Sequence, residues 1–177
     1  MATIKRVVTK TPEKKKTTVK KTGAPAAKGK KIPVTADRES VDGLFKEAVA
    51  RSESLDFAGT IGLLETILKI EPQNKDAINY MGMMLVGMDE YAEAVKYFNR
   101  LIKMNPGDKE ALNNKAIALH YLGKEGDALK CVDSAIALDK RYPDAYINKA
   151  VILHSMGKVE ESKAVLAKGR ALEAVMS

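Results

Sequence analysis

A pattern of residue types that returns every 34 positions constrains this chain more than any single residue does. Its clearest copy is Lys75–Asp108, KDAINYMGMMLVGMDEYAEAVKYFNRLIKMNPGD. Apolar residues recur there at helical spacing in two short runs joined by Met88-Asp89 and closed by Asn105-Pro106-Gly107. Shifting by 34 residues in either direction recovers the pattern without a gap. The copies are 41–74, 75–108, 109–142 and 143–176.

Columns of this alignment assign jobs. The eighth position reads Ala48, Gly82, Ala116, Ala150 and the twentieth Thr60, Ala94, Ala128, Ser162. Small residues at both let two helices approach closely. The twenty-fourth reads Leu64, Phe98, Val132, Leu166 and the thirtieth Ile70, Met104, Leu138, Leu172; these large apolar residues are expected in the core. Leu55-Asp56, Met88-Asp89, Leu122-Gly123 and Met156-Gly157 mark the turns. Pro72 and Pro106 stop the second helix of their copies, and Pro143 can open a helix at its first turn, where a missing N–H costs nothing.

A helix–turn–helix unit of this length, with Met81, Gly82, Leu85, Ala94, Phe98 and Pro106 in place, resembles the tetratricopeptide repeat family. Ile78 stands where that family usually has Trp, and the chain has no Trp. The resemblance implies an all-α fold, a right-handed superhelical solenoid of four helix pairs. The first helices, near 42–54, 76–88, 110–122 and 144–156, would line a concave groove. It also implies a non-catalytic protein-binding scaffold.

A stacked copy buries one face against the next, so the end copies must differ. The twenty-first position is Ile61, Val95, Leu129, then Lys163; the twenty-eighth is Leu68, Ile102, Ile136, then Arg170. At the other end the eleventh position is Arg51 before Leu85, Leu119 and Leu153. Both ends change in the direction solvent requires, which predicts a capped unit over 37–177 that is monomeric.

The resemblance places groove residues at the second, fifth, sixth, ninth, twelfth and thirteenth positions. The ninth gives an apolar strip of Val49, Met83, Ile117 and Val151; the fifth and sixth give Asn79, Asn113, Asn114 and Asn148. An asparagine amide both donates and accepts, so it can pair with a peptide backbone of any sequence. Some relatives use a ladder at the sixth position in this way, which Asn114 and Asn148 match and Lys46 and Tyr80 do not. The other reading is that these asparagines merely fill a polar helix face. At the twelfth position stand His120 and His154, the only two histidines. Metal binding is not expected, because helices at roughly 8–10 Å spacing do not bring two rings onto one ion; groove contact is. The second position, Asp42, Asp76, Glu110 and Asp144, is acidic in every copy. Acids in a first turn complement the helix dipole; they also make an edge that selects basic peptides or holds the chain's own basic tail. An acid at Asp144 would repel the carboxylate tails of heat-shock chaperones that some relatives grip.

That tail is residues 1–36, with eleven Lys or Arg against one acid, whereas the rest of the chain carries nineteen basic and twenty-two acidic residues. The overall charge of +7 therefore belongs to the tail. Without an aromatic residue it cannot bury enough surface to offset backbone entropy of roughly 1–2 kcal/mol per residue, so disorder is expected. Lys14, Lys15, Lys16, Lys20, Lys21, Lys28, Lys30 and Lys31 fit a solvated tail or an arm for nonspecific, salt-sensitive binding of nucleic acid or another polyanion. No aromatic stacking platform accompanies them.

The sequence offers no catalytic constellation, phosphate loop or cofactor motif, and an enzyme is not expected. Cys131, beside core Val132, reads as a packed thiol and suits a reducing compartment. No apolar run approaches the span of a membrane helix, and the N-terminus has no secretory apolar core. A cytoplasmic location follows as the expectation.

Overall fold

The computed structural model describes the backbone of residues 38–176. The basic tail, with all eight lysines named above, lies outside the described residues. The described chain is a row of helices: α1 Arg38–Glu53, α2 Phe57–Ile70, α3 Lys75–Gly87, α4 Tyr91–Met104, α5 Lys109–Tyr121, α6 Glu125–Leu138, α7 Pro143–Ser155 and α8 Val159–Met176. No strand occurs among the described residues. Each 34-residue copy is one helix pair, and each pair packs on the next to form a solenoid.

Local chemistry sets the boundaries. Asn74 and Asp108 cap α3 and α5, their side chains accepting from the N–H of Ala77 and Ala111 at 2.9 Å. Pro143 opens α7. Within each pair the chain reverses through a left-handed residue at the fifteenth position: Leu55 (φ 60°), Asp89 (63°), Gly123 (73°) and Gly157 (78°). Glycine meets this need without strain in the last two copies. In the first copy the reversal is Ser54-Leu55, one residue earlier than the sequence suggests. Asp56 instead caps α2, accepting from the Gly59 N–H at 2.9 Å.

The core lies between the two helices of each pair. Ala48, Gly82 and Ala116 are buried with Leu64, Phe98 and Val132, all three fully buried, and Ala150 is buried in the fourth pair. Leu166 is only half-buried. Where the twentieth residue is a hydroxyl, it lies close to the eighth residue's carbonyl: Ser162 donates to Ala150 at 2.7 Å, whereas Thr60 donates to the Asp56 carbonyl at 2.8 Å and stands 3.4 Å from that of Ala48. The thirtieth column departs from expectation. Ile70, Met104 and Leu172 are half-buried, but Leu138 is 51% exposed, so this position is the rim of the core.

Leu68 and Val95 each pack against two successive apolar clusters and tie neighbouring pairs together. Their counterparts in the last pair, Arg170 and Lys163, are exposed, and Lys163 pairs with Glu160 at 2.8 Å. Arg51, also exposed, bridges Glu47 at 2.7 Å and Asp56 at 3.3 Å. Solvent therefore meets charge at these positions of both end pairs.

Candidate partner-binding groove

The first helices α1, α3, α5 and α7 run parallel, side by side. Consecutive ones touch directly: α3 meets α5, and α5 meets α7. In a curved stack the layer whose members approach most closely is the inner one. The inner layer is therefore built from the helices that carry the second, fifth, sixth, ninth and twelfth positions.

The residue at the fifth position of each copy reaches the residue at the sixth position of the next. Phe45 and Tyr80 meet edge to face, with centroids 5.1 Å apart. Asn114 Nδ2 donates to Asn79 Oδ1 at 3.1 Å, and Asn148 Nδ2 donates to Asn113 Oδ1 at 2.9 Å. The adjacent asparagines of α5 thus turn opposite ways, Asn114 back to the second pair and Asn113 forward to the fourth. Each amide rung spends one donor and one acceptor and keeps others. Asn79, Asn114 and Asn148 are half-buried; Asn113 is 3% exposed and reaches the Tyr142 hydroxyl as well. Asn113 therefore holds the joint from inside and cannot meet a ligand directly, a correction to its expected groove role.

Beside the rungs, Val49, Met83, Ile117 and Val151 are all half-buried. The two histidines part company. His154 is exposed, but His120 is 9% exposed, with Nδ1 2.8 Å from Glu125 Oε2. Ser155 donates to the other oxygen of Glu125 at 3.0 Å. His120 is thus a buried tie within the third pair rather than a groove contact, because its ring is already partnered, and Glu125 carries the link on to Ser155 of the fourth pair. No three His, Cys, Asp or Glu residues gather in metal-holding geometry among the described residues.

Of the acidic edge, Asp76, Glu110 and Asp144 lie in the first turns of α3, α5 and α7, where the helix dipole favours them. Asp42 is the fifth residue of α1, beyond the reach of that argument. Asp42, Asp76 and Glu110 are exposed and Asp144 is half-buried. Burial, then the charges of Asp144 and Glu110, push the Tyr142 hydroxyl well above its ordinary pKa. The Cys131 thiol is likewise pushed up by burial, so it stays protonated and unreactive near neutrality.

A second set of cross-pair contacts escaped the sequence reading. Residue seventeen meets residue thirteen of the next pair: Phe57 lies 3.4 Å from where a Cβ on Gly87 would stand, Tyr91 stacks on Tyr121 at 4.8 Å, and Glu125 accepts from Ser155. The sequence signal is only that large residues at one position face small or matched ones 30 positions on.

Residues 76–108 and 143–169 match the tetratricopeptide repeat family model. The second and fourth helix pairs match this repeat, and all four pairs share its fold. Solved structures share this repeat fold at low identity. TTC0263, a thermophilic protein with these repeats from Thermus thermophilus, is 17% identical with a TM-score of 0.71, over 76% of this chain and 75% of that one. MamA (residues 41 to the end) from Desulfovibrio magneticus RS-1 is 15% identical with a TM-score of 0.68, over 78% of each chain. MamA from AMB-1 is 22% identical with a TM-score of 0.66, over 81% of this chain and 83% of that one. No curated protein matches the sequence. The repeat fold supports a protein-interaction scaffold in general terms. Among the described residues no helix is long and apolar enough to cross a membrane.

Proposed function

We propose that the chain is a non-catalytic adaptor of reducing, cytoplasmic surroundings that acts as a monomer and takes an extended peptide or a helix along its inner helices. The observation that carries this reading is the pair of amide rungs, Asn79–Asn114 and Asn113–Asn148, set beside a half-buried apolar strip. The rungs keep donors and acceptors for a backbone, while Met83, Ile117 and Val151 offer apolar surface for its side chains. The rungs also rigidify the inner layer, so less ordering remains to oppose binding. Half-buried Ile117, at the centre of the strip, should matter most and exposed His154 least. The test is capture of partners by full-length protein and by an Ile117→Lys variant, with Lys103→Glu on the exposed outer layer as control. Loss with Ile117→Lys alone, at unchanged helical circular dichroism, supports the groove. Equal loss with both variants, or with neither, refutes it.

A second reading has its own support, the concentration of positive charge in residues 1–36. In it the tail binds nucleic acid or another polyanion and the repeats recruit partners. Counterion release separates the two, because affinity through several lysines falls steeply with salt whereas groove binding through apolar contacts survives.

A further inference from the structure

We infer that the acidic edge of the inner layer is the docking surface for the chain's own tail, residues 14–31, lying across the repeats in the same molecule. The inference rests on the inner-layer reading above and names an occupant for it.

Charge on this protein is mostly settled locally. Acids on the other faces commonly sit within ion-pair reach of Lys or Arg: Glu93 with Lys96, Asp127 with Lys130, Asp133 with Lys149, Asp139 with Lys109, Glu160 with Lys163 and Glu161 with Lys158. The inner edge, like Glu65 on the outer helix α2, breaks that habit, and it does so in successive copies. Asp76 and Glu110 are exposed and form no ion pair among the described residues. Asp42, also exposed, continues their row. Lys75 and Lys109 precede two of these acids, Lys109 being drawn to Asp139, and the carboxylates repeated along the edge suit a polycation better than a single charge. Helix dipoles account for Asp76 and Glu110 but not for Asp42.

The chain holds such a polycation. Residues 14–31 carry all eight clustered lysines and no acid, interleaved with small and apolar residues such as Val19, Ala24, Pro25, Ala26 and Ala27. Small apolar residues suit a strip formed by Met83, Ile117 and Val151. The geometry of attachment also fits. The described chain begins at Arg38, the N-terminal end of α1. Because the inner helices are parallel, that end lies at the same edge as Asp76, Glu110 and Asp144. Inner helices roughly 10 Å apart put the row at about 30 Å from first to last. An extended segment covers roughly 3.3 Å per residue, so residues 14–31 are long enough to span it. The seven residues from 31 to 38 suffice to reach its start. Attachment also raises the tail's effective concentration at the edge into the millimolar range, which an untethered competitor must exceed. The consequence is a groove with a built-in competitor: acidic or polyanionic partners that draw off the tail would open it.

Carbodiimide treatment of the full-length protein tests this, since it joins a lysine amine directly to a carboxylate that touches it. Mass spectrometry of an equal mixture of ¹⁵N-labelled and unlabelled chains then shows which residues are joined and whether within one chain. The expected result is tail lysines joined to Asp42, Asp76 and Glu110 within single chains, lost when salt is raised from about 0.05 M to about 0.5 M. Asp76→Asn with Glu110→Gln should cut the remaining tail links at least several-fold, and Glu65→Gln with Glu93→Gln should not. Links spread evenly over outer-layer acids, links only between labelled and unlabelled chains, or links to the edge that persist at high salt would each overturn the inference. Partner capture through Ile117 is measured separately, so a groove that binds partners without its tail remains distinguishable from a groove that binds nothing.

Discussion

Gly82 and Phe98 form a pair that can be tested as one. A Cβ added to Gly82 would stand 2.6 and 2.7 Å from Cε1 and Cζ of Phe98, a ring with no solvent exposure. The ring would have to move by close to 1 Å in a packed interior, a displacement that costs about 1–3 kcal/mol. Replacing glycine by alanine inside a helix returns about 1 kcal/mol of propensity. Gly82→Ala alone should therefore destabilise by about 1 kcal/mol. Phe98→Leu alone should cost about 1–2 kcal/mol, because a leucine leaves a void over Gly82. The double variant recreates the alanine–aliphatic pairing that the other repeats already use, Ala48 with Leu64, Ala116 with Val132 and Ala150 with Leu166. It should lie within about 1 kcal/mol of the parent, giving a coupling of about 1–2 kcal/mol in the favourable direction. The assay is urea unfolding followed by circular dichroism, with the slope checked for constancy, since repeat arrays can lose cooperativity. Additive effects, with coupling below about 0.5 kcal/mol, would refute the claim that glycine is present to seat the larger ring.

Other consequences follow from single features. Leu55→Gly should raise stability by about 0.5–1 kcal/mol, because Leu55 is 61% exposed, holds φ 60° and gives up little burial; Gly123→Ala should lower it by a similar amount or more, and thermal melts read both. Glu125→Ala should cost about 1–3 kcal/mol by leaving the buried His120 ring without its carboxylate, with amide exchange accelerated in α7 and α8. Tyr142 and Tyr91 hold hydroxyls whose pKa is raised, chiefly by burial, so the folded state binds their protons more tightly than the unfolded chain does. Their contribution is complete below the unfolded tyrosine value near 10 and is lost as pH rises through the folded values; Tm should fall above about pH 10, less steeply in Tyr142→Phe.

The repeat, its helix pairs and its core columns were legible because each is a property of one position. The eighth position must be small in every copy, and chemistry repeated in register identifies it. Leu138 was misread for the same reason, since an apolar residue in an apolar column looks buried even at the rim. The groove was harder. Asn113 and Asn114 are neighbours of identical chemistry, and nothing local says that one turns inward to Asn148 while the other turns back to Asn79. His120 gave no sign of Glu125, because their bond depends on how the reversal at Leu122-Gly123 folds α6 onto α5. Burial of a side chain by a neighbouring repeat is a property of two positions some 30 residues apart.

Those two-position contacts do work that the core columns cannot. A chain with four similar helix pairs risks docking any pair onto any other, because the residues that hold each pair together are nearly interchangeable. The joints remove that degeneracy by differing chemically. The first pair meets the second through Phe45 on Tyr80 and Phe57 over Gly87, the second meets the third through Asn79 with Asn114 and Tyr91 on Tyr121, and the third meets the fourth through Asn113 with Asn148 and Glu125 with Ser155. Docking the second pair directly onto the fourth would set the Tyr91 ring against Ser155 in place of the Tyr121 ring and strip the Tyr142 hydroxyl from Asn113. Docking the first onto the third would press the Phe45 ring onto the Asn114 amide. A buried polar group without its partner costs about 1–3 kcal/mol, comparable to the gain from any one correct contact, so each wrong order is penalised at several points at once. Repetition in the core thus specifies the kind of fold, and variation at the joints specifies the order in which its parts assemble.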